Sequence, residues 1–505
     1  MKAIKNNQKQ EYGDFQTPIE LAVEVCEYLK SQSVQPRSII EPTCGVGNFI
    51  RAGLKTFDAQ VEYFGNEING VYLDAFREQI RSFNDINIKL RHADFFQVNW
   101  QKQFQDMPQP LLVIGNPPWI TNSDLGCING TNLPLKNNFQ DLNGFEALTG
   151  KSNFDISEWM LLHLLYLLQD HDAILAMLCK TSVARKVLRH VWRKDYRIKQ
   201  FDIYLIDAKR YFNIAVDACL LIGKTQGGSI VKRCNVYQDV SKKNLVSTIG
   251  IYNNDLLSDI EGYNQLKDLA GVEYYKWRSG IKHDCAQVME FVLGGEFRRN
   301  GLGEVCDLED EYLYPLFKSS EVAKNEVAEV KRLVLLPQKN MGDDTSIIKE
   351  RAPKTWDYLL RHSDRLDRRK SSIYSGRPRF SIFGIGDYSF SAWKVAISGL
   401  YKKIRFSVIG SFSDKPAMVD DTCYFIACHS KAEAYFIAEL LNSDAARMFL
   451  SSFIFWDSKR PITMEILRRI DLAVLAKDLG KEELFCCYKD VQAIKPSQGK
   501  QAMLF

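Results

Sequence analysis

The sequence predicts an α/β protein with a doubly wound sheet in its first half and a mixed α+β second half. Three observations carry this expectation. Helix-like and strand-like segments alternate from residue 19 to about 224, the pattern of a parallel sheet with helices on both faces. Three strand-like segments run out at acidic residues, Glu41, Glu67 and Asp94, and a fourth at Asn116-Pro117-Pro118-Trp119. From about residue 246 the alternation stops, and short strands, irregular loops and a few helices follow. The expected domains are therefore 1–245 and 246–505.

Taken in order, "IELAVEVCEYLKS" (19–31) spaces its apolar residues as a helix does. "RSIIEPTCGVG" reads as a strand ending near Glu41, followed by a turn in which Gly45 and Gly47 permit a tight reversal before the helix "NFIRAGLKTF". Strand "VEYFGNE", helix "GVYLDAFREQIRSF" and strands "INIKLRHAD" and "LLVIGN" come next. The run "WMLLHLLYLL" (159–168) is too short to span a bilayer and carries His163, so it reads as a core helix. Strand "AILAMLC", helix "SVARKVLRHVWRK" and strands "IKQFDIYLID" and "DACLLIGK" complete the series. The insert 120–153, rich in Asn, Gly, Leu and Asp, is long for a loop within a domain and is expected to be a lid.

Composition narrows the class. The net charge is only +4 over 505 residues, so contact with a polyanion must come from local clusters. One such cluster comprises Arg185, Lys186, Arg189, His190, Arg193, Lys194 and Arg197. Another runs through Arg361, Arg365, Arg368, Arg369, Lys370, Arg377 and Arg379, with Asp364 and Asp367 among them. The 12 cysteines are scattered without a CxxC pair and the histidines are dispersed, which points to reduced thiols and no metal. The polar N-terminus "MKAIKNNQKQEYGDF" has no apolar secretion segment, so a cytoplasmic protein without membrane association is expected.

The strand ends suggest a ligand. In open α/β sheets ligands bind outside the carboxyl ends of the strands, and small residues such as Gly45 and Gly47 let them approach the backbone. Glu67 lies about twenty residues beyond, where an acid accepts from ribose hydroxyls. Asp94 is placed to accept from an adenine amino group, with Phe95 against the ring. Glu67 or Asp94 alone reads more readily as a solvated strand end; the three acids in order point to an adenosine-type cofactor. At the fourth strand end, the Asn116 side-chain carbonyl and the Pro117 backbone carbonyl offer two acceptors to an exocyclic amino group. Pro118 holds the corner extended, and Trp119 offers a face for stacking.

"EPTCGVGNF", "NEI", "ADFF" and "GNPPW" resemble the motifs of S-adenosylmethionine-dependent DNA adenine-N6 methyltransferases. The order of cofactor motifs, then Asn-Pro-Pro-aromatic, then a separate second half resembles the gamma class (TaqI-type) of type II restriction–modification systems. Trp119 stands where Tyr or Phe is more usual. "GDFQTPIELA" (13–22) resembles the additional N-terminal motif of that class, and "DAKRYFNIAVDACLLI" (207–222) the segment carrying a second stacking aromatic, here Phe212. The resemblance implies a Rossmann-like methyltransferase sheet followed by a target-recognition domain. It implies that S-adenosyl-L-methionine is held by Phe15, Gln16, Thr17, Glu41, Pro42, Cys44, Gly45, Gly47, Glu67, Ile68, Asp94, Phe95 and Asn116. It further implies that a flipped adenine is held at Asn116, Pro117, Pro118, Trp119 and Phe212. The implied partner is double-stranded DNA, with a restriction endonuclease paired functionally but not in a stable complex, and the expected state is a monomer.

Base reading is expected in the second half, with Lys282, His283, Tyr374, Arg377, Lys459 and Arg460 as candidates. Segments 277–285, 381–406 and 457–463 resemble C-terminal portions of type II adenine methyltransferases. The competing readings are methylation of RNA or of a protein glutamine by the same corner, and a catalytically silent DNA-binding specificity subunit. A fused nuclease finds only Glu329 and Lys331, without an upstream Pro-Asp partner.

Overall fold

The computed structural model describes residues 15–493 apart from 59, 82, 84, 85, 121–154, 242, 243 and 296. All but Ile120 of the expected lid lies outside the described residues. The chain divides into two compact units, 1–261 and 262–505.

The first unit is built on one ten-stranded sheet. Its strands are β1 (Ser38–Glu41), β2 (Glu62–Glu67), β3 (Ile88–His92), β4 (Leu111–Gly115), β5 (Ala173–Lys180), β6 (Gln200–Ile206), β7 (Ala218–Lys224), β8 (Arg233–Tyr237), β9 (Leu245–Tyr252) and β10 (Asp255–Leu257). Their order is β10-β9-β8-β6-β7-β5-β4-β1-β2-β3. Strands β1 to β5 are parallel, and the order turns back between β1 and β4, where a doubly wound sheet opens a crevice for a ligand.

The sheet is not parallel throughout. β7 inserts between β5 and β6 and runs antiparallel to both. Only residues 207–217 join β6 to β7, and a parallel crossover needs a dozen or more. Nor does the first unit stop at residue 245. β9 pairs antiparallel with β8 and β10 with β9, so the expected boundary 245/246 falls inside a sheet strand, and the units divide at 261/262. The turn between β9 and β10 is Asn253-Asn254, both at positive φ, which is the backbone a two-residue hairpin requires.

Seven helices of the first unit bear on the site: α1 (Ile19–Ser31), α2 (Asn48–Thr56), α3 (Gly70–Gln79), α4 (Trp100–Gln105), α5 (Ile156–Leu168), α6 (Thr181–Arg193) and α7 (Ala208–Phe212). Leu21, Ala22, Val25, Cys26 and Leu29 of α1 recur at helical spacing and share a core with Phe49 of α2 and Phe76 of α3. Leu112 and Ile114 of β4 enter that core, while Leu111 and Val113, equally buried, point to the opposite face. The greasy run forms α5 as expected, buried nearly all round. No described helix is long and apolar enough to cross a membrane.

The second unit has two smaller sheets, as its mixed pattern predicts. One runs β13-β12-β15-β14-β18, from β12 (Glu290–Gly294), β13 (Phe297–Asn300), β14 (Leu313–Phe317), β15 (Arg332–Leu335) and β18 (Met418–Val419). The other runs β11-β19-β16-β17, from β11 (Arg278–Ser279), β16 (Trp393–Ser398), β17 (Ser407–Ile409) and β19 (Cys423–Cys428).

Candidate active site

The parallel strands deliver their carboxyl ends to one cleft. At the end of β1, Gly45 and Gly47 adopt φ of 53° and 72°. A Cβ on Gly45 would lie 2.3 Å from Gln16 Oε1, and one on Gly47 would lie 2.2 Å from the Phe76 ring, so both positions require glycine. The turn is fixed by side chains from neighbouring elements. Gly45 N–H donates to Glu67 Oε2 at 2.7 Å, and Val46 N–H to Gln16 Oε1 at 3.2 Å. Asn48 Nδ2 donates to the Thr17 carbonyl at 2.7 Å. Glu41 Oε2 accepts from Ile50 N–H at 3.1 Å, placing a carboxyl at the positive end of α2.

Burial dominates the electrostatics here. It pushes the Glu41 carboxyl well above the ordinary range, against the α2 amides that favour its charged form and with the Glu67 carboxylate adding to the rise. Burial likewise raises the Cys44 thiol, with Glu41 and Glu67 adding to it. The cleft floor is thus acidic and desolvated, and no cation among the described side chains lines it.

At the end of β4 the Asn116 side chain turns back toward the N-terminal segment. Its Nδ2 donates to the Phe15 carbonyl at 2.8 Å. A backbone carbonyl only accepts, so this bond fixes which end of the amide is which. Asn116 Oδ1 is left buried and without a partner among the described residues. Trp119 is buried beside it and meets Phe212, at the end of α7, edge to face with ring centroids 5.3 Å apart and planes at 64°. Phe15 closes the cluster, with its ring centroid 5.8 Å from Trp119.

Comparison with known proteins places this arrangement. The N-6 DNA Methylase family model matches residues 1–211. The type II methyltransferase M.NspV of Nostoc sp. (strain ATCC 29411 / PCC 7524) is 49% identical over 470 residues, covering 93% of this chain and 98% of that protein. The chain belongs to the type II DNA adenine-N6 methyltransferases. The type II methyltransferase M.CvrRI of Paramecium bursaria Chlorella virus XZ-6E matches a shorter stretch, 30% identical over 24% of this chain and 28% of that one. Among solved structures, the type IIL restriction-modification enzyme MmeI in complex with DNA aligns with a TM-score of 0.44 and 12% identity over 98% of this chain and 78% of that one.

In this methyltransferase the structure brings most of the sequence-predicted site residues into one cavity: Phe15, Gln16, Thr17, Glu41, Cys44, Gly45, Glu67, Ile68, Asp94, Phe95, Asn116 and Pro118 all line it. Pro42 and Pro117 instead line a small apolar space behind it, and Gly47 packs on Phe76. Two of the acids already have backbone partners. Glu67 receives backbone amides on both oxygens, from Gly45 and, at 2.8 Å, from Asn69, and Asp94 caps its own turn by accepting from Phe96 N–H at 3.0 Å. Each carboxylate oxygen has a second lone pair, so neither acid is exhausted. Trp119 and Phe212 come together but in mutual contact. A base sandwiched between them needs parallel rings roughly 7 Å apart, twice a stacking distance.

Sequence reasoning missed Tyr72, Ile156 and Met160 on the cavity wall. The last two lie four apart on α5, a spacing that puts both on one helix face, but a helix apolar all round gives no sign of which face meets a ligand. It also missed Lys180. Lys180 Nζ donates to the Trp119 carbonyl at 3.1 Å and to Asp155 Oδ2 at 2.8 Å, and Ile156 N–H donates to the Ile120 carbonyl at 3.0 Å. One ammonium therefore ties the chain just before 121–154 to the chain just after it.

The basic cluster along α6 is largely engaged within its own unit. Lys186 pairs with Glu158 at 2.8 Å, Arg193 donates to the Asn254 carbonyl at 2.7 Å, and Arg197 pairs with Asp170. In the second unit, His283 is buried and paired with Glu290, and Tyr374 lies beneath the Arg369 guanidinium, so neither presents its polar atoms as a free base reader would.

Proposed function

We propose that this type II adenine methyltransferase binds S-adenosylmethionine in the cleft at the ends of β1, β2 and β3. There it methylates N6 of an adenine rotated out of duplex DNA at Asn116. The observation that carries this reading is the Asn116 amide: one end held by Phe15 at 2.8 Å, the other a buried acceptor without a partner among the described residues, beside the cofactor cavity. A buried acceptor left unpaired costs about 1–3 kcal/mol, and an amino hydrogen of the target base would satisfy it.

The residues present fit the cofactor. Glu67 and Asp94 give the cleft a negative field suited to a cationic ligand, the buried Glu41 adds a further polar carboxyl, and Gly45 leaves the backbone bare where a side chain would obstruct it. When bound, S-adenosylmethionine supplies an electrophilic methyl group on a positively charged sulfur. Glu67 and Asp94 would orient its adenosine through their remaining lone pairs, while Phe95, Phe96, Ile156 and Met160 supply apolar walls.

S-adenosylmethionine held in this cleft would supply the methyl group that adenine N6 takes up, and the amino proton it displaces would pass to solvent. Asn116 Oδ1 accepts from the amino group, which favours the charge developing on nitrogen. Rotating the adenine out costs a few kcal/mol, offset by stacking on Trp119 and by hydrogen bonds in the pocket. Phe212 would swing away from Trp119 to admit the base. The order of motifs along the chain supports the gamma class.

A tritium-transfer assay offering duplex DNA, RNA and protein separately tests the reading. Label in duplex DNA alone, recovered as N6-methyladenine, is the expected result. Label confined to RNA or protein contradicts it.

A further inference from the structure

The second unit gathers polar residues from distant parts of the chain onto one support. Three backbones cross there almost in contact. A Cβ on Gly280 would lie 2.1 Å from the Asp420 carbonyl oxygen, and one on Gly384 would lie 2.1 Å from the Gly280 carbonyl oxygen. Ile281 N–H donates to the Val419 carbonyl at 2.8 Å, and Lys282 and Phe383 exchange hydrogen bonds at 2.8 Å. Beneath the crossing, His283 Nε2 meets Glu290 at 3.1 Å, while Lys318 pairs with Glu290 and reaches Asp420 at 3.8 Å. The buried anchors are His283 and Asp420; their chain neighbours Lys282, Asp284 and Asp421 are the residues that face outward.

Those outward residues are only loosely paired with one another, although Asp284 also meets the Tyr374 hydroxyl. Lys282 lies 3.6 Å from Asp284, and Arg460 lies 3.9 Å from Asp421. Both separations exceed hydrogen-bonding distance, so the donors and acceptors are not consumed by each other. All four side chains are a third or more exposed, at 36%, 34%, 40% and 39% in that order. Exposed loose pairs add almost nothing to stability, so stability alone gives no reason to mount them on so rigid a base.

A basic loop adjoins this centre. Arg369 donates to the His283 carbonyl at 3.2 Å and to the Ser381 carbonyl at 2.7 Å, and its guanidinium lies 3.8 Å over the Tyr374 ring. Tyr374 donates to the Lys282 carbonyl at 3.5 Å. The loop so tethered carries Arg368, Lys370 and Arg377, all exposed and without an ion pair among the described residues. By contrast Arg379, in the same loop, is spent on Asp367 at 2.7 Å.

A mixed-charge centre with a basic flank matches the division of labour in DNA recognition, where phosphate contacts position and base contacts specify. We infer that Lys282, Asp284, Asp421 and Arg460 read a G·C base pair of the recognition sequence in the major groove, with Arg368, Lys370 and Arg377 on neighbouring phosphates. The chemistry sets the base pair. A carboxylate accepts from the cytosine N4 amino group, and Lys or Arg donates to guanine O6 and N7; none of the four offers an apolar surface to a thymine methyl. The inference rests on the methyltransferase reading above.

The test uses the full-length protein on a duplex library with randomised sequence, reading the context of every methylated adenine. Asp421→Asn and Lys282→Ala should each relax preference at one G·C position by about 5- to 150-fold, the worth of a good base contact. Lys370→Ala should weaken binding to all sequences alike and flatten the salt dependence. Wild-type protein on duplexes carrying 7-deazaguanine keeps the test decisive even where a variant does not fold. Methylation should fall when one guanine of the site loses its N7. Variants that methylate with the wild-type sequence profile, a site without a G·C pair, or indifference to 7-deazaguanine at every guanine would each overturn the inference. Wild-type protein that methylates no duplex would instead defeat the reading beneath it.

Discussion

The Asn116 side chain donates to the Phe15 carbonyl at 2.8 Å, joining the end of β4 to the segment before α1 across 101 residues of sequence. This bond sets which amide end faces the pocket. Asn116→Ala should lower kcat by about 10²- to 10³-fold, the scale of losing one preorganised polar group, with S-adenosylmethionine affinity in calorimetry nearly unchanged. Asn116→Asp retains an acceptor but sets a carboxylate against the Phe15 carbonyl. It should keep more turnover than the alanine variant and bind the cofactor less well. Equal turnover in the two variants would mean the acceptor oxygen is not what the reaction uses.

Lys180 is a positioning residue, since it reaches the corner through the Trp119 carbonyl. Lys180→Met should lower kcat more than it raises KM, and should destabilise the fold by about 2–3 kcal/mol by leaving the buried Asp155 carboxylate without its cation. Lys180→Arg should restore much of both. Steady-state kinetics with a thermal melt separate the two effects; a purely structural role would give a lower melting temperature with kcat per folded enzyme unchanged.

Much of this site was legible in the sequence because its determinants are local. A strand ending in an acid, a glycine turn and an Asn-Pro-Pro corner each occupy a few consecutive residues, and the sheet brings their ends together by topology alone. What was hidden depends on pairings across the chain. Nothing in "LCKTS" signals that Lys180 will meet both Trp119 and Asp155, and nothing in "DFQ" signals that the Phe15 carbonyl will hold Asn116. The antiparallel β7 was readable from its short connection, and β9–β10 from the Asn253-Asn254 turn, had loop length and turn chemistry been weighed as heavily as periodicity. The partners of the charge run on α6, such as Glu158 for Lys186, were hidden because charge composition does not reveal them.

Trp119 is both a buried core residue and the proposed stacking face, so its substitutions should divide. Trp119→Phe should retain most activity. Trp119→Ala should weaken the extrahelical base by about 1–3 kcal/mol and the fold by about 3–5 kcal/mol. With 2-aminopurine at the target position, wild-type protein should raise fluorescence as the base leaves the stack. A Trp119→Ala protein that gives the wild-type signal at the same concentration would remove Trp119 from base binding.

His163, half-buried and stacked on Trp159 with ring centroids 4.9 Å apart, is depressed by desolvation to about 4. Its folded value lies below the ordinary 6.5, so the stability it confers is present above pH 6.5 and drains away as pH falls toward 4. At pH 4.5 the loss should reach about 2.5 kcal/mol. Denaturant melts from pH 7 to 4.5 should show a shallower decline for His163→Phe than for wild type; parallel curves would place the titration elsewhere.

The most direct measurement is a map of modified bases in a host that lacks adenine methylation, made with the wild-type gene and with Asn116→Ala. The account predicts N6-methyladenine at one recurrent duplex sequence with the former and at none with the latter. Unmarked adenines with the wild-type gene, a mark on another base, or an undiminished map with the variant would contradict it.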